Sequence, residues 1–88
     1  MTYTVVFVRE DDGGYCVHVP ALKGCHTQGD SLPEALEMAR DAIEGYLASL
    51  EKHGEPFPED VATVSFEWGD ASEALAYRVT VGEAVPTA

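Results

Sequence analysis

Positive charge is what this sequence has least of. It contains 5 lysine and arginine residues against 16 aspartate and glutamate residues, and its formal net charge is −11. Proteins that bind nucleic acid directly normally carry a basic patch that releases counterions from the phosphate backbone, and the few basic residues here are scattered. The composition therefore favours a basic protein as partner. An acidic surface also serves solubility alone, and composition leaves both explanations open.

Long hydrophobic runs are absent as well. The longest, residues 5–8, is far shorter than the roughly 18 residues of a membrane span, and the N-terminus lacks the basic segment and apolar core of a secretory signal. We therefore expect a cytoplasmic protein without membrane contact. The 88 residues suffice for one domain, which we place at residues 1–82 with a flexible tail at residues 83–88. A lone protomer of this size is only modestly stable, so a homodimer or homotetramer is expected.

Only two cysteines occur. Cys16 and Cys25 have neither the CxxC spacing of a zinc site nor the density of a disulfide-stapled scaffold. We expect both to be free thiols that act as small buried hydrophobes.

The first third of the chain predicts a three-stranded antiparallel meander. β-branched and aromatic residues favour strands at residues 3–9, 15–19 and 25–29. Asp11 and Asp12 with the following Gly-Gly pair predict a hairpin between the first two. In the second strand, alternation places Val17 on one face, with Cys16 and His18 on the other.

The next segment predicts one long helix packed on the sheet. Ser31 and Glu34 form a capping box, with a proline in the first turn, where it costs nothing. The helix is expected to end near His53 with Gly54 as its cap. The apolar residues repeat at three- and four-residue steps: Leu32, Ala35, Leu36, Ala39, Ala42, Ile43, Tyr46, Leu47 and Leu50. The polar residues off this line are interpreted as a solvated face: Glu34, Glu37, Arg40, Asp41, Glu44 and Glu51.

One or two further strands are expected after the helix. Alternating apolar and polar residues predict a strand at residues 61–68, and residues 77–81 predict another. Residues 71–76 could equally form a short helical turn, which leaves the stretch before the last strand open. The fold class is therefore α+β.

Groups that carry chemistry are sparse in the sequence. No catalytic constellation, phosphate loop or metal-ligand motif is recognisable, so we predict no catalytic residue, no cofactor and no metal. His18 and His26 could face one another on adjacent strands, with Cys16 or Cys25 nearby, as a metal site, although a structural role is the favoured interpretation. A turn role is likewise favoured over cation binding for the acidic pair in the hairpin.

Residues 15–43 read YCVHVPALKGCHTQGDSLPEALEMARDAI, and their order and spacing resemble the HicB antitoxin family. The matching elements are Tyr15, Val17, Val19-Pro20, Leu22, Gly24-Cys25, Thr27, Gly29-Asp30-Ser31, Glu34-Ala35, Ala39 and Ala42. The resemblance extends over residues 3–50. It implies a partial RNase H-like fold, β-β-β-α-β, that serves as a protein-binding scaffold.

The resemblance also implies a partner and a function. The partner is a HicA-type toxin, a small basic ribonuclease that cleaves messenger RNA, whose active histidine and RNA-binding surface the antitoxin occludes. The carboxylates of a true RNase H are not recognisable, so nuclease activity is not implied. Many HicB proteins carry a C-terminal DNA-binding domain, and only about 20 residues follow Trp68 here, so direct DNA binding is not expected.

The sequence therefore predicts a non-enzymatic, HicB-like antitoxin core that neutralises a HicA-type toxin. The alternatives are a stand-alone transcriptional regulator and a degenerate nuclease that uses Asp11, Asp12, Asp30 or the histidines with a divalent metal. Candidate partner-binding residues are Asp11, Asp12, Glu67 and Trp68, because an exposed aromatic ring beside a carboxylate suits a basic partner. A place in the core is the favoured interpretation for Trp68.

Overall fold

A computed structural model describes residues 1–62 and 74–82. The described elements are β1 (Thr2–Arg9), β2 (Tyr15–His18), β3 (His26–Gly29), α1 (Leu32–Lys52) and β4 (Ala74–Thr80). The three strands and the helix predicted for the first part of the chain are confirmed, with strand ends that differ by single residues.

The strands form one antiparallel sheet in the order β3-β2-β1-β4. β1, β2 and β3 make the predicted meander, and β4 returns along the free side of β1. Phe7 pairs with Val17 on one side and with Leu75 on the other. Because directly paired residues point to the same face of a sheet, these side chains share one apolar face. The α+β class is confirmed.

β4 resolves part of the ambiguity after the helix. It contains most of the strand predicted at residues 77–81 and begins earlier, so residues 74–76 are extended and not a helical turn. The strand predicted at residues 61–68 lies outside the described residues except for Val61 and Ala62, which are not in a strand. The predicted tail at residues 83–88 lies outside the described residues as well.

The core lies between the apolar face of the sheet and α1. The helix buries four residues at four-residue steps, Ala35, Ala39, Ile43 and Leu47, as the sequence pattern predicts. They pack with buried side chains of the strands, of the β2–β3 connection and of the residue after β4: Tyr3, Val5, Phe7, Val17, Val19, Leu22, Val79 and Val81. Neither α1 nor any other helix in the described ranges is long and apolar enough to cross a membrane.

The N-cap of α1 is Ser31 and the helix ends near His53, both as predicted. The Ser31 hydroxyl accepts a hydrogen bond from the Glu34 N–H at 3.3 Å, and the Glu34 carboxylate accepts one from the Asp30 N–H. In a standard capping box the glutamate accepts from the N–H of the cap residue itself. Here it accepts from Asp30, the residue before the cap. At the other end His53 is the C-cap, and Gly54 has a φ of 70°, a conformation that glycine adopts without steric cost.

The segment after the helix is fastened to β1. The Tyr3 hydroxyl donates to the Pro58 carbonyl at 2.5 Å. The Asp60 carboxylate accepts from the Thr4 N–H at 2.8 Å and from the Thr4 hydroxyl at 2.7 Å. Burial by itself would raise the pKa of Asp60, but the Thr4 bonds, the Val61 N–H and the Arg78 charge outweigh it, and the pKa is lowered.

Candidate partner-binding surface

Five exposed acidic side chains lie along the side of α1 that faces away from the sheet. These residues, which we call the acidic stripe, are Glu34, Glu37, Asp41, Glu44 and Glu51. Steps of three, four and seven residues keep them on one side of a helix, and the stripe is about 25 Å long at 1.5 Å per residue. The opposite side of α1 is buried against the sheet, so the acidic stripe faces solvent.

A first shallow depression lies at the start of the stripe. Its lining residues are Pro33, Glu34, Glu37, Met38 and Asp41. Met38 is an exposed large apolar side chain, 39% accessible, and it stands among three carboxylates. A flexible thioether in such a position suits contact with a partner surface of irregular shape.

A second depression, of about 320 Å³, lies at the other end of the stripe. Its lining residues are Met1, Glu44, Leu47, Ala48, Glu51, Phe57, Val81 and Gly82. Met1 and Phe57 are 47% and 37% exposed. Apolar side chains within a charged rim are the arrangement of many protein–protein interfaces. The two depressions therefore give the acidic stripe apolar contact points at both ends.

The hairpin residues proposed from the sequence lie near the start of α1. Asp11 and Asp12 are exposed in the β1–β2 turn, and the Asp12 carboxylate accepts a hydrogen bond from the Gly14 N–H at 3.0 Å. A Cβ atom at Gly14 would lie 3.2 Å from the Gly29 carbonyl, which places the turn beside the end of β3. The turn role of Asp12 is thus observed, whereas a contact with a partner stays a prediction for both residues.

The other two proposed partner residues, Glu67 and Trp68, lie outside the described residues. The acidic stripe itself was interpreted from the sequence as a solvated face. Its carboxylates at three- and four-residue spacing could have identified one continuous surface. No local pattern places Met1, Phe57 and Val81 beside it, because these residues come from distant parts of the chain.

The histidine candidates lie on the face of the sheet opposite α1. His18 of β2 pairs directly with His26 of β3, and their rings stack with centroids 6.3 Å apart and an interplanar angle of 26°. The prediction that they face one another is confirmed. Burial lowers the pKa of His18, and electrostatic repulsion from the neighbouring His26 lowers it further. In the described parts of the chain, no group of three or more histidine, cysteine or acidic residues could hold a metal ion, so neither cysteine joins the pair.

The two thiols are free, as predicted, but half-buried instead of fully buried. Burial raises the pKa of both thiols. The pKa of Cys16 is raised further by the negative charge of Glu10, by a hydrogen bond between Cys16 and Glu10, and by the charge of Asp12. Since the thiolate is the nucleophile, these surroundings disfavour cysteine reactivity.

The family model that describes HicB-like antitoxins of bacterial toxin–antitoxin systems matches residues 3–82. The chain belongs to this family. The resemblance that residues 15–43 carry in the sequence is thereby confirmed.

Sequence relatives and solved structures are similar to this chain. A UPF0150 protein of Thermoplasma acidophilum is 50% identical over 62 residues, which are 70% of this chain and 90% of the relative. The N-terminal domain of the Burkholderia pseudomallei antitoxin HicB is 25% identical, with a TM-score of 0.71 over 94% of this chain and 100% of that one. A chain of a HicA3 and HicB3 toxin–antitoxin complex, 16% identical, shares the fold with a TM-score of 0.64 over 94% and 100% of the two chains.

Proposed function

We propose that this HicB-like antitoxin binds a small basic HicA-type toxin and blocks its cleavage of messenger RNA. The observation that carries the proposal is the acidic stripe, on a chain whose formal net charge is −11. A ribonuclease must attract the phosphates of its substrate, so its working surface is basic. A row of carboxylates on the antitoxin is complementary to that surface and competes with RNA for it.

Charge and apolar contacts make separate contributions to such a complex. The stripe accelerates encounter with a basic partner and orients it, an effect that weakens as salt is added. Met38 at one end and Phe57 at the other supply apolar surface that becomes buried in the complex. Burial of this surface slows dissociation and so lengthens the lifetime of the complex. The homodimer or homotetramer expected from the short chain would present two or more copies of this surface.

The first experiment needs the toxin encoded next to this chain, expected to be a short lysine-rich protein with a central glycine and histidine. Expression of that protein alone should arrest growth, and co-expression of this chain should restore it. In vitro, the purified chain should stop cleavage of a messenger RNA by the toxin at about one equivalent. A toxin variant that lacks the active histidine serves as control, since it should form the same complex without arresting growth.

Three outcomes would argue against the proposal. Failure to restore growth together with failure to form a complex would exclude toxin neutralisation. Metal-dependent cleavage of RNA by the isolated chain, abolished by Asp30→Asn, would favour the nuclease alternative. Binding of the chain alone to its own promoter DNA would favour the regulator.

A further inference from the structure

Two imidazoles lie next to each other on the sheet face opposite α1. His18 and His26 are directly opposed in the β2–β3 register, so their Cβ atoms are about 5 Å apart. Their ring centroids are 6.3 Å apart. A metal ion at about 2.0–2.1 Å from one nitrogen of each ring separates the centroids by roughly 5 to 6 Å. Coordination of one ion by both rings requires the side chains to rotate from this stacked arrangement.

His26 is held in the form that a metal ligand requires. Its Nδ1 atom lies 3.0 Å from the Gly24 carbonyl oxygen. A carbonyl can only accept a hydrogen bond, so Nδ1 carries the proton and the lone pair of the neutral ring lies on Nε2. A hydrogen bond from the second ring nitrogen to a backbone carbonyl is the contact that orients histidine ligands in metal sites. His26 is exposed and His18 is half-buried, so an ion reaches the pair from solvent.

We propose that His18 and His26 together bind one divalent transition-metal ion of the kind that imidazole prefers, such as Zn²⁺, Ni²⁺ or Cu²⁺. The protein supplies two ligands and water completes the coordination shell. The ion bridges β2 and β3, two strands whose pairing the unfolded chain lacks. It consequently binds the folded chain in preference to the unfolded one and raises the thermal stability of the domain. The site is separate from the acidic stripe, so this inference does not depend on the toxin.

The test uses the full chain without a histidine tag. Zn²⁺ is titrated while the imidazole resonances of all three histidines are followed by NMR. We expect the resonances of His18 and His26 to shift together with one apparent affinity. His53 is the internal control, because it is exposed and its Nδ1 atom also contacts a backbone carbonyl, that of Ser49, at 2.7 Å, and its resonances should shift much less.

Variants separate the pair from metal binding elsewhere on an acidic surface. His26→Gln should weaken Zn²⁺ binding by at least about tenfold, since even loss of an outer contact to a ligand costs about 10- to 100-fold. It should also remove the rise in melting temperature that Zn²⁺ causes. His18→Gln should act in the same way, and His53→Gln should change neither quantity. Unchanged Zn²⁺ affinity in both His18→Gln and His26→Gln, or a wild-type chain that does not bind the ion, would overturn the proposal.

Discussion

A methyl group at Gly29 would lie 2.6 Å from the backbone nitrogen of Ala35 and 2.7 Å from its Cα atom. The end of β3 thus passes the first turns of α1 at a distance that only a glycine hydrogen allows. Because the obstructing atoms are backbone, Gly29→Ala must shift the helix relative to the sheet. We expect a loss of about 2 to 3 kcal/mol in the free energy of unfolding, measured by urea denaturation.

Gly45→Ala is the matched control. Gly45 is exposed in the interior of α1, and a Cβ atom there would meet nothing within 4 Å. The same substitution should stabilise the chain by about 0.5 to 1 kcal/mol, because alanine loses less backbone entropy in a helix than glycine. Similar effects of the two substitutions would show that the close approach at Gly29 has no energetic consequence.

Local chemistry explains why the elements could be predicted. The cap at Ser31, the stop at Gly54 and the apolar repeat between them depend on residues a few positions apart. The contact of Gly29 with Ala35 could not be predicted, since its closeness depends on how the helix packs on the sheet. The position of β4 beside β1 was equally inaccessible, because alternation predicts a strand but not its neighbour.

The candidate functional surfaces were predictable to different degrees. Adjacent strands in a meander allowed the sequence to predict that His18 faces His26. The acidic stripe was visible as a polar helix face, but the apolar groups around Phe57 that give it contact points are assembled by tertiary packing. The bond between Thr4 and Asp60 joins residues 56 positions apart, and no sequence pattern signals it.

The Asp60 carboxylate should stabilise the fold through its two bonds to Thr4. Asp60→Ala leaves the N–H of the largely buried Thr4 without this acceptor, and loss of a hydrogen bond to a partly exposed charged group costs about 1 to 2 kcal/mol. Urea denaturation at neutral pH measures the loss. Glu59→Ala removes an exposed neighbouring carboxylate and should change stability by less than about 0.5 kcal/mol.

The contribution of Asp60 should disappear in acid. Its pKa in the folded chain is lowered from the ordinary value of 3.8. Above that value the carboxylate is ionised in both states, and its stabilisation is fully present. As the pH falls further, the unfolded chain takes up the proton first, so the stabilisation declines and is lost once the folded chain is protonated. The difference in stability between wild type and Asp60→Ala should therefore shrink as the pH falls below 3.8, and a constant difference would contradict the assignment.

Glu10 should control the reactivity of one cysteine and not the other. Burial is the largest cause that raises the pKa of Cys16, and the Glu10 carboxylate is the next. Burial alone raises the pKa of Cys25. Glu10→Gln removes the negative charge, lowers the pKa of Cys16 and increases its thiolate fraction at a given pH. Alkylation by iodoacetamide, followed by peptide mass spectrometry, should accelerate at Cys16 and stay constant at Cys25. Equal acceleration at both would indicate a general loosening of the fold.

Charge reversal at the centre of the acidic stripe tests where the toxin binds. Asp41 lies beside Met38 and is exposed. Asp41→Lys should weaken binding of the toxin by on the order of tenfold or more, mainly through slower association, and should reduce its dependence on salt. Glu59→Lys makes the same change in net charge at an exposed carboxylate that is not part of the stripe, and should weaken binding by less than about threefold. Equal losses in the two variants would mean that net charge attracts the toxin without a defined surface. A larger loss in Asp11→Lys, measured in the same assay, would instead place the contact at the β1–β2 turn.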